Sequence, residues 1–194
     1  MFRRLTVRNY RSIEDATVSL GPFSVVVGPN GSGKSNLADA FVFARDVAFD
    51  ASTAISGRGG ISSVRRWSRS KPYDVSVDIL VSNSEEAASH SFLRHSFTVQ
   101  SGNEGTWRFK RERVEHCENG TEVLVVDRTY NDVNVHGSKL TISTVADTTS
   151  VMVLVRQVLP LPTKLKTALF GVRRFRLNPD AMRQPQIVSE EARL

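Results

Sequence analysis

The stretch that most constrains this chain is Phe23-Ser24-Val25-Val26-Val27 followed by Gly28-Pro29-Asn30-Gly31-Ser32-Gly33-Lys34-Ser35. The first five residues are an almost continuous apolar, β-branched run, the composition of a strand buried on both faces in a parallel sheet. The next eight fit G-x-x-x-x-G-K-[ST] in full. Beyond them Leu37, Ala40, Phe41, Ala44 and Ala48 recur at helical spacing, which predicts a helix over about 34–49. A strand, a glycine-rich loop and a helix in that order form the setting in which the loop motif has a physical meaning. Glycines let the backbone curl until successive N–H groups converge on an anion, and the helix N-terminus adds the positive end of its dipole. Within that frame Asn30, Gly31, Ser32, Gly33, Lys34 and Ser35 are the candidate phosphate-binding residues. Lys34 reaches the terminal phosphates, and the Ser35 hydroxyl is the candidate Mg²⁺ ligand. A nucleotide and Mg²⁺ are the expected ligands.

The rest of the chain reads as follows. Residues 3–9 and 16–20 are short strands, and 51–71, rich in Ser, Gly and Arg, is a loop with room for a short helix. From Tyr73 the pattern changes to period two: Tyr73, Val75, Val77, Ile79 and Val81 alternate with polar residues, and three further runs up to Arg128 continue it. A half-buried antiparallel sheet is therefore expected over 73–136. Val151 to Val158 is apolar and fits helix or strand, Thr163 to Phe170 reads as a helix, and Arg173, Phe175 and Leu177 suggest a last strand.

Composition excludes several classes. With 40% hydrophobic and 24% charged residues the 194-residue chain has a globular balance. No apolar run approaches the roughly 20 residues that span a bilayer, so no membrane partner is expected. The single cysteine, Cys117, forms neither a disulfide framework nor a cysteine zinc site within one chain, and suits a cytoplasmic location. His90, His95, His116 and His136 lack metal-ligand spacing and read as structural or exposed. The net charge of +6 is the sum of +6 over residues 1–71, −5 over 72–155 and +5 over 156–194. The basic ends attract phosphate, on a nucleotide or a nucleic acid. Arg65, Arg66, Arg69 and Lys71 with Trp67 among them are a candidate nucleic-acid contact, set against the simpler reading of a solvated face.

Residues 5–40, from Leu5-Thr6-Val7-Arg8-Asn9-Tyr10-Arg11-Ser12-Ile13 through Ser35-Asn36-Leu37-Ala38-Asp39-Ala40, resemble the N-terminus of an ABC-type ATPase head of the RecF/SMC kind, a group that includes bacterial OLD-like "AAA family ATPases". Arg174-Phe175-Arg176-Leu177-Asn178-Pro179-Asp180-Ala181-Met182-Arg183 is similar to a strand and turn of the same proteins. The resemblance implies an α/β P-loop NTPase fold of the ABC-head type, a mixed sheet with an antiparallel β-subdomain. Residues 1–50 would be the strand, P-loop and helix core, 73–136 the β-subdomain and 151–194 a return to the core, with the C-terminal half of the head missing from these residues. It further implies that Asn36 lies beside the phosphates, that Arg11 and Ser12 contact the nucleotide, and that Arg58 is a phosphate-directed arginine. Homodimerisation through ATP, action on DNA, and control of a nuclease or other effector in repair or anti-phage defence belong to the same implication.

A head of this kind also needs a strand ending in Asp-Glu and a signature loop. Val123-Leu124-Val125-Val126-Asp127 is the nearest approach to the former, but Arg128 stands where Glu is needed. No signature loop is present. The residues by themselves are expected to bind ATP weakly and to hydrolyse it slowly or not at all. A non-catalytic nucleotide-binding interaction module is the alternative. A P-loop kinase is less favoured because the middle is β-rich, and a GTPase lacks its Asn-Lys-x-Asp motif.

Overall fold

The computed structural model describes residues 1–82, 91–136, 144–158 and 163–174. Seven strands form one sheet in the order β2-β1-β3-β4-β5-β6-β7: β1 Phe2–Tyr10, β2 Ile13–Ser19, β3 Val75–Ser82, β4 Phe92–Ser101, β5 Trp107–Glu118, β6 Thr121–Thr129 and β7 Asp132–His136. Each neighbouring pair is antiparallel. Among the described residues four α-helices accompany them: α1 Lys34–Ser56, α2 Ile61–Val64, α3 Val151–Val158 and α4 Thr163–Phe170. None of the helices is long and apolar enough to cross a membrane, among the described residues.

The period-two pattern decides which sheet face is covered. Leu5 and Val7 of β1, Val75, Val77, Ile79 and Val81 of β3, Leu93 and Phe97 of β4 and Val114 of β5 are buried in one core with Ala40, Phe43, Ala44 and Val47 of α1, Met152 and Val155 of α3, and Leu169 of α4. Tyr10, Phe43, Phe97 and Phe109 run through it in successive ring contacts of 5.1–6.1 Å. The Phe43–Phe97 and Phe97–Phe109 pairs are edge-to-face, a geometry that adds to the stabilisation by burial itself.

On the opposite face the polar half of the pattern forms a chain of ion pairs across five strands. Arg4 of β1 reaches Asp78 of β3 at 3.9 Å, and Asp78 holds Arg94 of β4 at 2.5 Å. Arg94 reaches Glu115 of β5 at 3.5 Å, and Arg113, paired with Glu115, grips Asp127 of β6 at 2.6 Å. Pairs that solvent still reaches contribute only about 0.2–1 kcal/mol each. Their larger effect is on register, because a one-residue slip would move every charge into the apolar core.

Two irregularities alter what the alternation alone would dictate. The β4–β5 register shifts between Thr98 and Val99, so Val99 faces Phe109 while Thr98 faces Arg111. This bulge lets Phe109 and Glu112, three residues apart, both point into the core. A second shift lies between His116 and Cys117 on the β5–β6 side. His116 is 5% exposed and its Nε2 has no hydrogen-bond partner. Burial pushes its pKa below the ordinary value against a weaker opposing pull from Glu118. With the folded value depressed, the neutral imidazole's contribution is present above the unfolded pKa of about 6.5 and is lost as pH falls. Urea midpoints measured at pH 7 and pH 5 are therefore expected to fall less for His116→Leu than for the native sequence; equal falls would remove His116 from the acid response.

The structure corrects three expectations. Phe23–Val27 has no regular secondary structure, and Phe23, Val25, Val26 and Val27 are 86%, 67%, 50% and 84% exposed. A strand buried on both faces needs a partner along its edges and a layer on each side, and none of the described residues supplies them. Among the described residues the sheet is accordingly all-antiparallel rather than mixed. Thirdly, helix continues into the expected loop over 51–71: α1 kinks at Asp50, whose φ is −161°, and resumes to Ser56. The Asp50 carboxylate causes this, accepting the N–H groups of Ser52 at 2.9 Å and Thr53 at 3.3 Å as a cap for the second segment. The ambiguous run Val151–Val158 is helical. Phe175, Leu177 and the stretch Asn178 to Arg183 lie outside the described residues, as does His90.

Candidate phosphate site

The N-terminus of α1 is built against the usual helix rules. Gly33 occupies the cap position without any side-chain cap, the first turn holds no acidic residue, and its first residue is Lys34. Helix starts favour Ser, Thr or Asp caps and negative charge, since the first N–H groups lack intrahelical partners and the dipole is positive there. A cation at this end is adverse unless an anion is to be held. The loop before it bends through Gly31 at φ 81° and Gly33 at φ 91°, left-handed values that side chains disfavour. A Cβ on Gly28 would come within 3.1 Å of the Ser32 hydroxyl. Lys34 folds back over the loop, its Nζ donating to Gly28 O at 2.7 Å, Pro29 O at 2.6 Å and Ser32 Oγ at 3.3 Å. Asn30, Gly31, Ser32 and Ser35 are exposed around it. A cleft of about 460 Å³ opens here, lined among others by Ser12, Val27, Gly28, Gly33 and Lys34. The arrangement fits a phosphate chain, with an uncapped helix start, a curled backbone and one ammonium converging.

The turn between β1 and β2 closes one side of this cleft. Asn9 and Arg11 have left-handed φ values of 53° and 49°. The turn is fixed by the end of α2 and the segment after it: Arg11 N donates to Val64 O and Arg66 N to Asn9 O, each at 2.8 Å. It brings Ser12 onto the loop, where the Asn36 amide donates to the Ser12 hydroxyl at 2.7 Å. Of the basic run, Arg66 pairs with Glu14 at 3.0 Å and Trp67 is 72% exposed.

Behind the loop stands a charge cluster that the sequence reading did not single out. Asp39, one turn beyond the start of α1 and 7% exposed, receives the Tyr10 hydroxyl at 2.5 Å and three guanidiniums. Arg11 lies at 3.2 Å, Arg58 at 3.3 Å and Arg174 at 3.3 Å. Burial alone would raise the Asp39 pKa, but the Tyr10 hydroxyl, Arg58 and Arg11 together outweigh it and hold the carboxyl below its ordinary value. Arg58 is the most enclosed of the three, paired also with Asp46 at 3.0 Å and lying over the Phe43 ring at 5.1 Å. Its guanidinium thus faces the helix α1 carboxylates. The legible sign of this cluster was an aspartate set inside the apolar stripe Leu37, Ala40, Phe43 and Ala44.

A second buried ionic group joins β4, β5, β6 and α3. Glu112, opposite Arg128 in register, accepts His95 Nε2 at 2.9 Å, the Ser150 hydroxyl, and the Val151 N–H at 2.9 Å. It thereby caps α3. Arg128 lies 3.5 Å from Glu112 and donates to Tyr130 O, Thr149 O and Ala146 O. Asp127, beside it, is held by Arg113 on the other face, with β3, β4 and β5 between its strand and β1. No group of three or more His, Cys, Asp or Glu able to hold a metal ion occurs among the described residues.

Residues 1–124, more than half of the chain, match the AAA ATPase domain family. The chain belongs to that family. Within it, 37 residues are 49% identical to the OLD nuclease of Thermus scotoductus (strain ATCC 700910 / SA-01), a stretch amounting to 19% of this ATPase-domain chain and 7% of that nuclease. A solved structure from work on ATP-driven dimerisation and DNA-stimulated activation of SMC ATPases is 20% identical, with a TM-score of 0.42 over 62% of this chain and 70% of that one.

Proposed function

We propose that this AAA ATPase-domain chain is the ATP-binding lobe of an SMC/RecF-like ATPase head that dimerises on ATP to act on DNA or to control an effector such as a nuclease. One observation carries the reading: the uncapped start of α1, headed by Lys34 and preceded by the left-handed glycines 31 and 33. In this reading the N–H groups of Asn30 to Ser35 surround the phosphates, Lys34 leaves Gly28 O and Pro29 O for the terminal phosphate, and Asn36 holds Ser12 at the rim. Ser35 supplies a hydroxyl to Mg²⁺, which offsets phosphate charge when bound. Arg11 is a further phosphate contact. Arg58 keeps its place on Asp39 and Asp46 and acts on the nucleotide through helix α1.

The exposed run Phe23–Val27 supports a head completed by further strands, because a contiguous apolar surface of this kind marks a covered face. The catalytic Asp-Glu and signature loop would come with that completing part, and Asp127 is not proposed for the role. The stretch shared with an OLD nuclease supports the effector side of the reading. The decisive experiment is multi-angle light scattering of the full-length protein with MgATP, MgADP and no nucleotide. A mass that doubles only with MgATP is expected. An unchanged mass despite demonstrated ATP binding would leave a monomeric nucleotide-binding module instead.

A further inference from the structure

The three guanidiniums on Asp39 are more than one carboxylate needs. A buried carboxylate left bare is strongly destabilised, and one that retains two guanidiniums is not. Arg58 is enclosed by Asp46, Phe43 and its bond to Ala54 O at 2.9 Å, and has no room to leave. Arg174 belongs to the segment after α4, which is pinned to α1 a second time where Arg45 donates to Val172 O. Arg11 differs from both. Its backbone is fixed by Val64 O, and its buried Nε has no hydrogen-bond partner. It is also the immediate neighbour of Ser12, which lies on the loop.

We propose that Asp39 is a docking point that stores Arg11 away from the phosphate site, and that Arg174 is the positioning residue that makes its release cheap. When a nucleotide's phosphate draws the Arg11 guanidinium across, Arg174 and Arg58 remain on Asp39 and keep its charge compensated. Nucleotide affinity thereby depends on a segment more than a hundred residues along the chain that touches no phosphate. The inference rests on the ATP-binding reading above and adds to it a link between the segment after α4 and the phosphate loop.

The test is a double-mutant cycle on the full chain, with MgATP affinity measured by titration calorimetry. Arg174→Ala is expected to weaken binding about fivefold, the lower end of ordinary coupling between sites. Arg11→Ala removes a charge-assisted bond and is expected to weaken it about tenfold. In the Arg11→Ala background, Arg174→Ala is expected to have no further effect, and Arg174→Lys in the native background is expected to restore part of the affinity. An Arg174→Ala loss that persists undiminished without Arg11, or no loss in the native background, overturns the proposal. A second readout needs no nucleotide. Because the two arginines substitute for each other on Asp39, removing both is expected to lower the urea midpoint by more than the sum of the single losses; additive losses overturn the storage contact. A native chain that binds no MgATP refutes the ATP reading alone, and the urea series still decides the contact.

Discussion

Lys34→Ala is expected to weaken MgATP binding by roughly 10- to 100-fold, the loss of one or two hydrogen bonds to a charged group. The ammonium is satisfied by Gly28 O, Pro29 O and Ser32 Oγ. It therefore stabilises the curl of the loop before any ligand arrives, and exchanges those neutral acceptors for charged ones when a phosphate enters. The substitution removes both contributions, while α1 keeps its core contacts through Ala40, Phe43, Ala44 and Val47. Folding stability is expected to change little, so the loss will be seen in calorimetric titration with MgATP at an unchanged urea midpoint. An affinity within twofold of the native value would mean that phosphate binds elsewhere.

Glu112→Ala has the largest expected effect on stability, about 3–5 kcal/mol, the usual cost of breaking a buried pair from one side. Four groups lose their acceptor at once: Arg128, His95, the Ser150 hydroxyl and the Val151 N–H. Arg128 suffers most, because its side chain is wholly buried and burial already pushes its pKa down against the pull of Glu112. Its three carbonyl partners are neutral and leave the charge uncompensated. For a domain of this size the loss corresponds to about 10 °C in Tm. Glu112→Gln keeps the volume and one acceptor for α3 and is expected to fall between. Urea unfolding followed by circular dichroism provides the measurement, and a loss under 1 kcal/mol for the alanine variant would show that Glu112 does not anchor Arg128 and α3.

Both predictions concern residues whose legibility in the sequence differed sharply. The place of Lys34 at the head of α1 was readable because it depends on spacing within eight residues, and a loop motif carries its geometry with it. The antiparallel sheet was readable for a similar reason: Val75, Val77, Ile79 and Val81 bury alternate positions of one strand whatever the neighbour. Glu112 and Arg128 were not readable. Each looks like an ordinary surface charge until the β4–β5 bulge turns Glu112 inward and the register sets Arg128 opposite it. Asp39 and Arg174, far apart along the chain, meet only because the segment after α4 lies against α1. The exposed run Phe23–Val27 shows the limit from the other direction. Its composition specifies a fully buried strand, but burial is a property of what surrounds a segment, and composition cannot supply the neighbours.

By itself the sequence determined a glycine-rich loop at the head of a helix and a period-two sheet after it, since these follow from local backbone freedom and from spacing within single elements. The tertiary structure alone decided which charges are buried, which arginines share Asp39, and where Glu112 caps α3. Those depend on register, on a bulge and on the approach of distant segments. Electrostatic energy changes steeply over a few ångströms when water is excluded, so such contacts are fixed by packing and not by pattern.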